Sequence, residues 1–252
     1  ALPARDRSGG YVSSHWAVTR RMEQLAALDG VDALVDVLAA DLSSPRQYVR
    51  IATALAAKQR HADALAWAER GLREQDKAWS DQRLVDVAVE QNLALGRAAE
   101  AVAVRRRALE AHPTFERYRQ LRELGTGPDE SARDLLRGVD LVRALHADGE
   151  HDQAWEAAQE VNCPAQLWHE LAERRAGQHP LDAAAVFRRL ATARIEHRDN
   201  DGYAAAAELI VRVRGLYERA APPGEFAGYL DEVKAAHRQK RNFMAALAAR
   251  GL

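Results

Sequence analysis

The chain has 252 residues, with 36 basic and 37 acidic side chains for a net charge of −1; it is long enough to bury a core without covalent staples, and it lacks the bulk charge that drives proteins onto nucleic acid or anionic membrane. A single cysteine excludes a disulfide framework and a multi-cysteine zinc site within the chain. No apolar run approaches the roughly 18 residues of a membrane-spanning helix, and no signal peptide opens the chain, so a cytoplasmic protein with no membrane partner is expected.

Alanine supplies roughly a fifth of the residues while isoleucine, threonine and aromatics are scarce, a mixture that favours helix over sheet. Residues 1–10, ALPARDRSGG, read as a flexible leader ending in Gly-Gly. There is no initiator methionine, as expected either of a segment excised from something longer or of simple Met removal before Ala1. Residues 11–252 are expected to form a single α-helical repeat domain. Val31, Leu34, Val35, Leu38 and Leu42 fall at offsets 0, 3, 4, 7 and 11, one face of a helix. Ser44 suits an N-cap, Pro45 the first helical position, and Gln47 the reciprocal position of a capping box. The helix that follows carries Tyr48, Ile51, Ala52, Leu55 and Ala56 on one stripe. A polar turn from Lys58 to His61 leads to a second helix with Ala64, Leu65, Ala68 and Leu72 inward. So short a connection makes the two helices antiparallel neighbours.

Two segments alternate apolar and polar residues like strands, Leu84 to Glu90 and Leu209 to Arg214. Both lie inside longer helical patterns without flanking turn signals and are read as helix. Breaks are expected at Gly96, Pro113, Gly125 to Pro128, Gly149, Asn162 to Pro164, His179-Pro180, Asp199 to Gly202 and Pro222 to Gly224. Their spacing is that of helical hairpins in series.

The hairpins are self-similar. HADALAWAERGL from His61, AAEAVAVRRRALEAHP from Ala98, GEHDQAWEAAQEV from Gly149 and HPLDAAAVFRRL from His179 each place a small residue early in a second helix: Ala64, Ala101, Ala154 and Ala183. Gly96 and Gly149 stand five residues before two of these, and Pro113 stands twelve after Ala101. A small residue lets two helices cross closely, the glycine serves the turn, and the proline blocks continuation of the helix. The pattern resembles the tetratricopeptide repeat (TPR) in degenerate form, with anchors 37, 53 and 29 residues apart. The resemblance implies an all-α fold of TPR-like helical hairpins forming an α-solenoid, clearest at 45–125.

Longer phrases carry a second resemblance. YVRIATALAAKQRHADALAWAERGL, LWHELAERRAGQHPLDAAAVFRRL, GYAAAAELIVRVRGLYER and FAGYLDEVKAAHRQKRNFMAAL together resemble the helical C-terminal region of bacterial SWIM zinc-finger proteins, from Pro45 to Leu252. That family's metal motif is a Cys-x-Cys pair followed by Cys-x-His. It is not present, since Cys163 stands alone, so no metal binding carries over; the resemblance implies a zinc module outside this chain.

The candidate chemistry is thin, and neither a cofactor nor a metal is expected. His169-Glu170-Leu171-Ala172-Glu173 misses the second histidine of a His-Glu-x-x-His zinc site, and a polar helix face explains it. His61, His151 and His179 recur in the turn before a second helix, which suits a capping role. Cys163, between Asn162 and Pro164, has no cationic activator beside it in sequence. Gly125-Thr126-Gly127-Pro128 lacks the lysine and the preceding strand of a phosphate loop. The five tryptophans, Trp16, Trp67, Trp79, Trp155 and Trp168, are expected to fill gaps between stacked hairpins.

Two functions follow from different residues. Arg46, Val49 and Thr53, and Arg83, Asp86 and Glu90, each sit on one face of a first helix and would line the concave surface of stacked hairpins. Mixed charge on such a stripe suits a protein or peptide partner, which makes a non-enzymatic scaffold the leading expectation. Alternatively, Arg105, Arg106 and Arg107, or Arg238, Lys240 and Arg241, with aromatic residues nearby, would contact phosphates as an accessory region of a nucleic-acid-associated SWIM protein.

Overall fold

The computed structural model describes residues 22, 24, 30–74, 79 and 81–252. The expected leader and Trp16 lie outside the described residues. Among the described residues there are fourteen α-helices and no strand. The protein is all-helical, and both strand-like segments lie within helices. The chain divides into two compact units, one ending at Leu136 and the other running from Arg137 to Leu252.

The first unit contains α1 (Val31–Ala39), α2 (Pro45–Ala56), α3 (His61–Glu74), α4 (Gln82–Ala94), α5 (Ala98–Ala111), α6 (Phe115–Leu121) and α7 (Glu130–Arg133), with a π turn at Arg122–Thr126. Each of α2 to α5 packs on the next, and α2 also touches α4. The apolar stripes read from sequence point inward. Leu38, then Tyr48, Ile51, Ala52 and Leu55, then Ala64, Leu65, Ala68 and Leu72 are all buried. Leu42 lies beyond the end of α1 and is half-buried. At the start of α2, Ser44 is extended (φ −140°, ψ 152°) and Pro45 takes the first position, but the capping box is not made. The Gln47 N–H is bonded to the Ser44 carbonyl instead of the Ser44 hydroxyl. The Gln47 side chain accepts from Arg50 at 3.3 Å.

One turn geometry recurs. Gln59, Gly96 and Gly149 have left-handed φ values of 62°, 73° and 87°, and each stands five residues before an anchor alanine. The next residue donates its N–H to a carbonyl five positions back: Arg60 to Leu55 (3.1 Å), Arg97 to Asn92 (2.8 Å) and Glu150 to Leu145 (2.9 Å). Its own carbonyl then accepts the N–H of the anchor, Ala64, Ala101 or Ala154, at 2.9, 3.1 and 2.9 Å. The closing bond of one helix and the opening bond of the next therefore share a single residue. Ala183 follows a different turn, in which His179 donates to the Arg175 carbonyl and Pro180 starts the helix. All four anchors are fully buried.

Within α3, Gly71 sets a second close approach. A Cβ there would lie 2.7 Å from Cγ and 2.8 Å from Cβ of Tyr48, and 3.0 Å from Cδ2 of Leu84. A ring from α2 and a leucine from α4 thus close on bare backbone. The Tyr48 hydroxyl continues across α3 to donate to Glu74 at 2.7 Å.

The second unit contains α8 (Gly138–Asp148), α9 (His151–Gln159), α10 (Ala165–Arg175), α11 (Pro180–Glu196), α12 (Asn200–Ala220), α13 (Glu225–His237) and α14 (Arg241–Ala248). Its core is built on α11 against α12; α11 buries Ala183, Ala184 and Ala191, and α12 buries Ala206 and Ala207. Asp199 caps α12 through the Gly202 N–H, and a Cβ at Gly202 would lie 2.7 Å from the Arg194 carbonyl oxygen. Phe243 and Leu247 close α14 onto α12, with the Tyr203 and Phe243 rings 5.7 Å apart.

Two substitutions test these contacts by urea denaturation. Gly71→Ala forces Tyr48 from its seat and is expected to cost about 1–3 kcal/mol. Gln59→Gly relieves a left-handed non-glycine residue and is expected to stabilise by about 1 kcal/mol. A neutral Gly71→Ala would refute the close-approach reading, and a destabilising Gln59→Gly the turn reading.

Candidate functional site

The two stripes expected to meet a partner lie on α2 and α4, helices that touch one another. Arg46, Thr53, Arg83 and Glu90 are exposed, whereas Val49 and Asp86 are half-buried. Val49 packs against the core of the first unit. Arg83 is held 2.9 Å from Asp81, the N-cap of α4, and its hydrogen bond keeps the Asp81 carboxyl below its ordinary range. Arg46 and Glu90 carry no bonded partner among the described residues.

Asp86 and Arg105, which the sequence assigns to different surfaces, form one ion pair at 2.6 Å. Gln82 donates to the same Asp86 oxygen at 2.7 Å and to Gln120 at 2.8 Å. Arg105 also donates to Gln120, at 3.2 Å. This network ties α4, α5 and α6 together, and the Arg105 side chain is only 13% exposed. Gln82 and Gln120 carry no signal in sequence, because neutral amides reveal a role only through their partners.

Arg106 and Arg107 of the first basic cluster, and the two arginines of α6, are engaged in different places. Arg106 pairs with Asp129, the N-cap of α7. Arg107 stacks on Trp79 with its guanidinium carbon 4.9 Å from the ring centroid. Arg119 is bracketed by Glu116 and Glu123. Arg117 is buried and donates to the carbonyls of Ala108 and Trp79. Desolvation by that burial, and then Arg105, push its pKa down.

Around the second cluster, Lys240 donates to the Ile195 carbonyl at 3.3 Å, and His237 lies edge-on to Phe243. Burial, then Lys240, lower the His237 pKa. Arg238 and Arg241 are exposed, and their side chains have no bonded partner among the described residues.

The candidates for chemistry are engaged structurally. His169 packs edge-on to Phe187 at 5.5 Å, Glu170 accepts from Gln166, and Glu173 pairs with Arg212. Cys163 is 7% exposed, and burial pushes its thiol up from the ordinary range against the smaller influence of Arg143 and Arg189. No group of three or more His, Cys, Asp or Glu among the described residues is placed to hold a metal. The expected capping role is not played by these histidines: His61 opens α3 with its Nδ1 2.8 Å from Gln91 Oε1, His151 opens α9 behind the N-cap residue Glu150, and His179 is the N-cap residue of α11 without a side-chain cap bond. None of the described helices is long and apolar enough to cross a membrane.

His146 and His151 face each other across the α8–α9 turn with ring centroids 5.1 Å apart. The His146 Nδ1 is buried without a hydrogen-bond partner. Burial, then His151, lower its pKa, with Arg174 adding to this and Glu170 opposing it.

No protein-family model matches the chain, and no curated protein matches it.

Asp86→Ala is expected to cost about 2 kcal/mol in urea denaturation, because it leaves Arg105 with only an amide partner; a loss smaller than that of Glu90→Ala would refute the network. Since the unfolded chain binds the His146 proton more readily, stability is expected to fall as pH drops below about 6.5. His146→Gln should flatten that fall in urea titrations across the range, and an unchanged slope would exclude His146 as its source.

Proposed function

We propose that this chain is a non-enzymatic scaffold of TPR-like helical hairpins that binds a protein or peptide partner through the exposed faces of its first helices. The observation that carries the reading is the recurrence of one turn at Gln59, Gly96 and Gly149, each set the same distance before a fully buried alanine. Hairpins repeated on such a plan stack into an α-solenoid, which displays first helices side by side as an extended concave surface. The contact between α2 and α4 is the arrangement this needs. Arg46 and Glu90, exposed and uncommitted on these two helices, are the charges best placed to meet a partner. A cytoplasmic setting and membership of the SWIM zinc-finger family, with the zinc module outside this chain, belong to the same proposal.

The nucleic-acid reading draws on Arg238, just past the end of α13, and Arg241, the first residue of α14, two exposed cations whose side chains are uncommitted among the described residues. It draws little from Arg105 and Arg106, whose charges are met by Asp86 and Asp129, or from Arg107, which lies over Trp79.

The test is affinity capture of partners by the full chain, compared with Arg46→Glu and Glu90→Arg, neither of which touches a fold contact. A captured partner is expected to bind at least about tenfold more weakly to either variant. Unchanged binding to both would refute the first-helix surface. Retention of a DNA or RNA probe at low salt, lost in Arg238→Glu with Arg241→Glu, would instead favour the second reading.

A further inference from the structure

In the second unit, α9 packs on α8 and α10, and α11 packs on α10 and α12. The space left between α9 and α11 is a groove of about 960 Å³, open rather than enclosed. Trp155 of α9 and Trp168 of α10 line it and meet edge to face, with centroids 5.4 Å apart and planes at 87°. They are only 8% and 9% exposed. Val186 and Leu190 of α11 complete an apolar wall.

Two guanidinium groups lie over the indoles, and their situations differ. Arg175 stacks on Trp155 at 4.8 Å and is neutralised by Asp152 at 2.8 Å and Asp182 at 2.9 Å. Arg189 stacks on Trp168 at 4.6 Å and has no carboxylate partner among the described residues. A cation held over an aromatic face loses water on that side while its outer N–H groups stay available. Beside an apolar wall, such a group selects a ligand that joins an apolar side chain to a carboxylate. Glu156, exposed on α9, also lines the groove and disfavours a densely acidic ligand. The open form suits a length of extended chain over an enclosed small molecule.

We propose that this groove docks an acidic peptide segment of a partner protein, with an aliphatic or aromatic side chain seated against Trp155, Val186 and Leu190 and a neighbouring Asp or Glu carboxylate paired with Arg189. The site stands on α9 to α11 alone, so it and the stripe on α2 and α4 fail separately.

The test uses the full chain and a short fluorescein-labelled Gly/Ser peptide carrying a single Leu-Glu pair (the Glu/Leu peptide), with the same peptide carrying Leu-Lys (the Lys/Leu peptide) as its charge-reversed counterpart. Anisotropy reports binding, and a change in tryptophan emission that is lost in the groove variants below reports contact with the groove. The Glu/Leu peptide is expected to saturate and to shift the tryptophan emission, while the Lys/Leu peptide does neither. Arg189→Gln is expected to weaken binding at least about tenfold and Arg189→Lys less so. Ala185→Phe, which narrows the groove from an exposed position and leaves Arg189 in place, is expected to weaken it comparably. Equal binding of the two peptides, no saturable binding, or binding unchanged in both Arg189→Gln and Ala185→Phe would overturn the proposal. So would a homodimer that these variants dissociate in sedimentation, since the occupant would then be a second copy of the chain.

Discussion

Two helices joined by a turn of a few residues approach most closely where the side chain between them is no larger than a methyl group. This constraint governs both units. Ala64, Ala101, Ala154 and Ala183 supply the methyl at the head of each second helix, and all four are fully buried. At Gly71 even a methyl is too large, because Tyr48 and Leu84 already occupy its volume. In α11 and α12, which pack on each other, several further alanines are buried. Tyr48, Tyr118, Phe187 and Phe243 are the largest side chains that are fully enclosed.

The parts of this plan that depend on local backbone chemistry were legible in the sequence. Helix periodicity, the anchor alanines and the breaks at Gly96 and Gly149 follow from residue type and spacing, without knowledge of distant partners. Gln59 shows where that legibility ends. It takes the left-handed conformation of the two glycines, yet nothing in its side chain announces it; the hairpin imposes the conformation on whichever residue stands there. The capping box at Ser44 failed for a related reason, since a backbone carbonyl captured the N–H that the motif assigns to a hydroxyl.

The arginines were the least legible part, because their roles depend on groups far away in sequence. Arg105 to Arg107 form a run in the chain, but helical rotation sends them to Asp86, Asp129 and Trp79. A cluster of charge in sequence thus became three separate fastenings. One regularity emerges only from the structure. Arg70, Arg107 and Arg189 each stand six residues after an anchor alanine, and each lies over an indole, at 5.1, 4.9 and 4.6 Å. The tryptophans come from unrelated positions, so the register belongs to the arginine. At that register a guanidinium reaches the flank of its own hairpin and covers a ring too wide to be enclosed.

The lone sulfhydryl of the chain lies among the lining of the α9–α11 groove, shielded from solvent and raised in pKa chiefly by its burial. An alkylating reagent added to the native protein therefore has one target, held mostly as unreactive thiol. Exposure of so shielded a sulfur requires the helices around Cys163 to part, so the pace of its modification would report local opening at this place in the second unit.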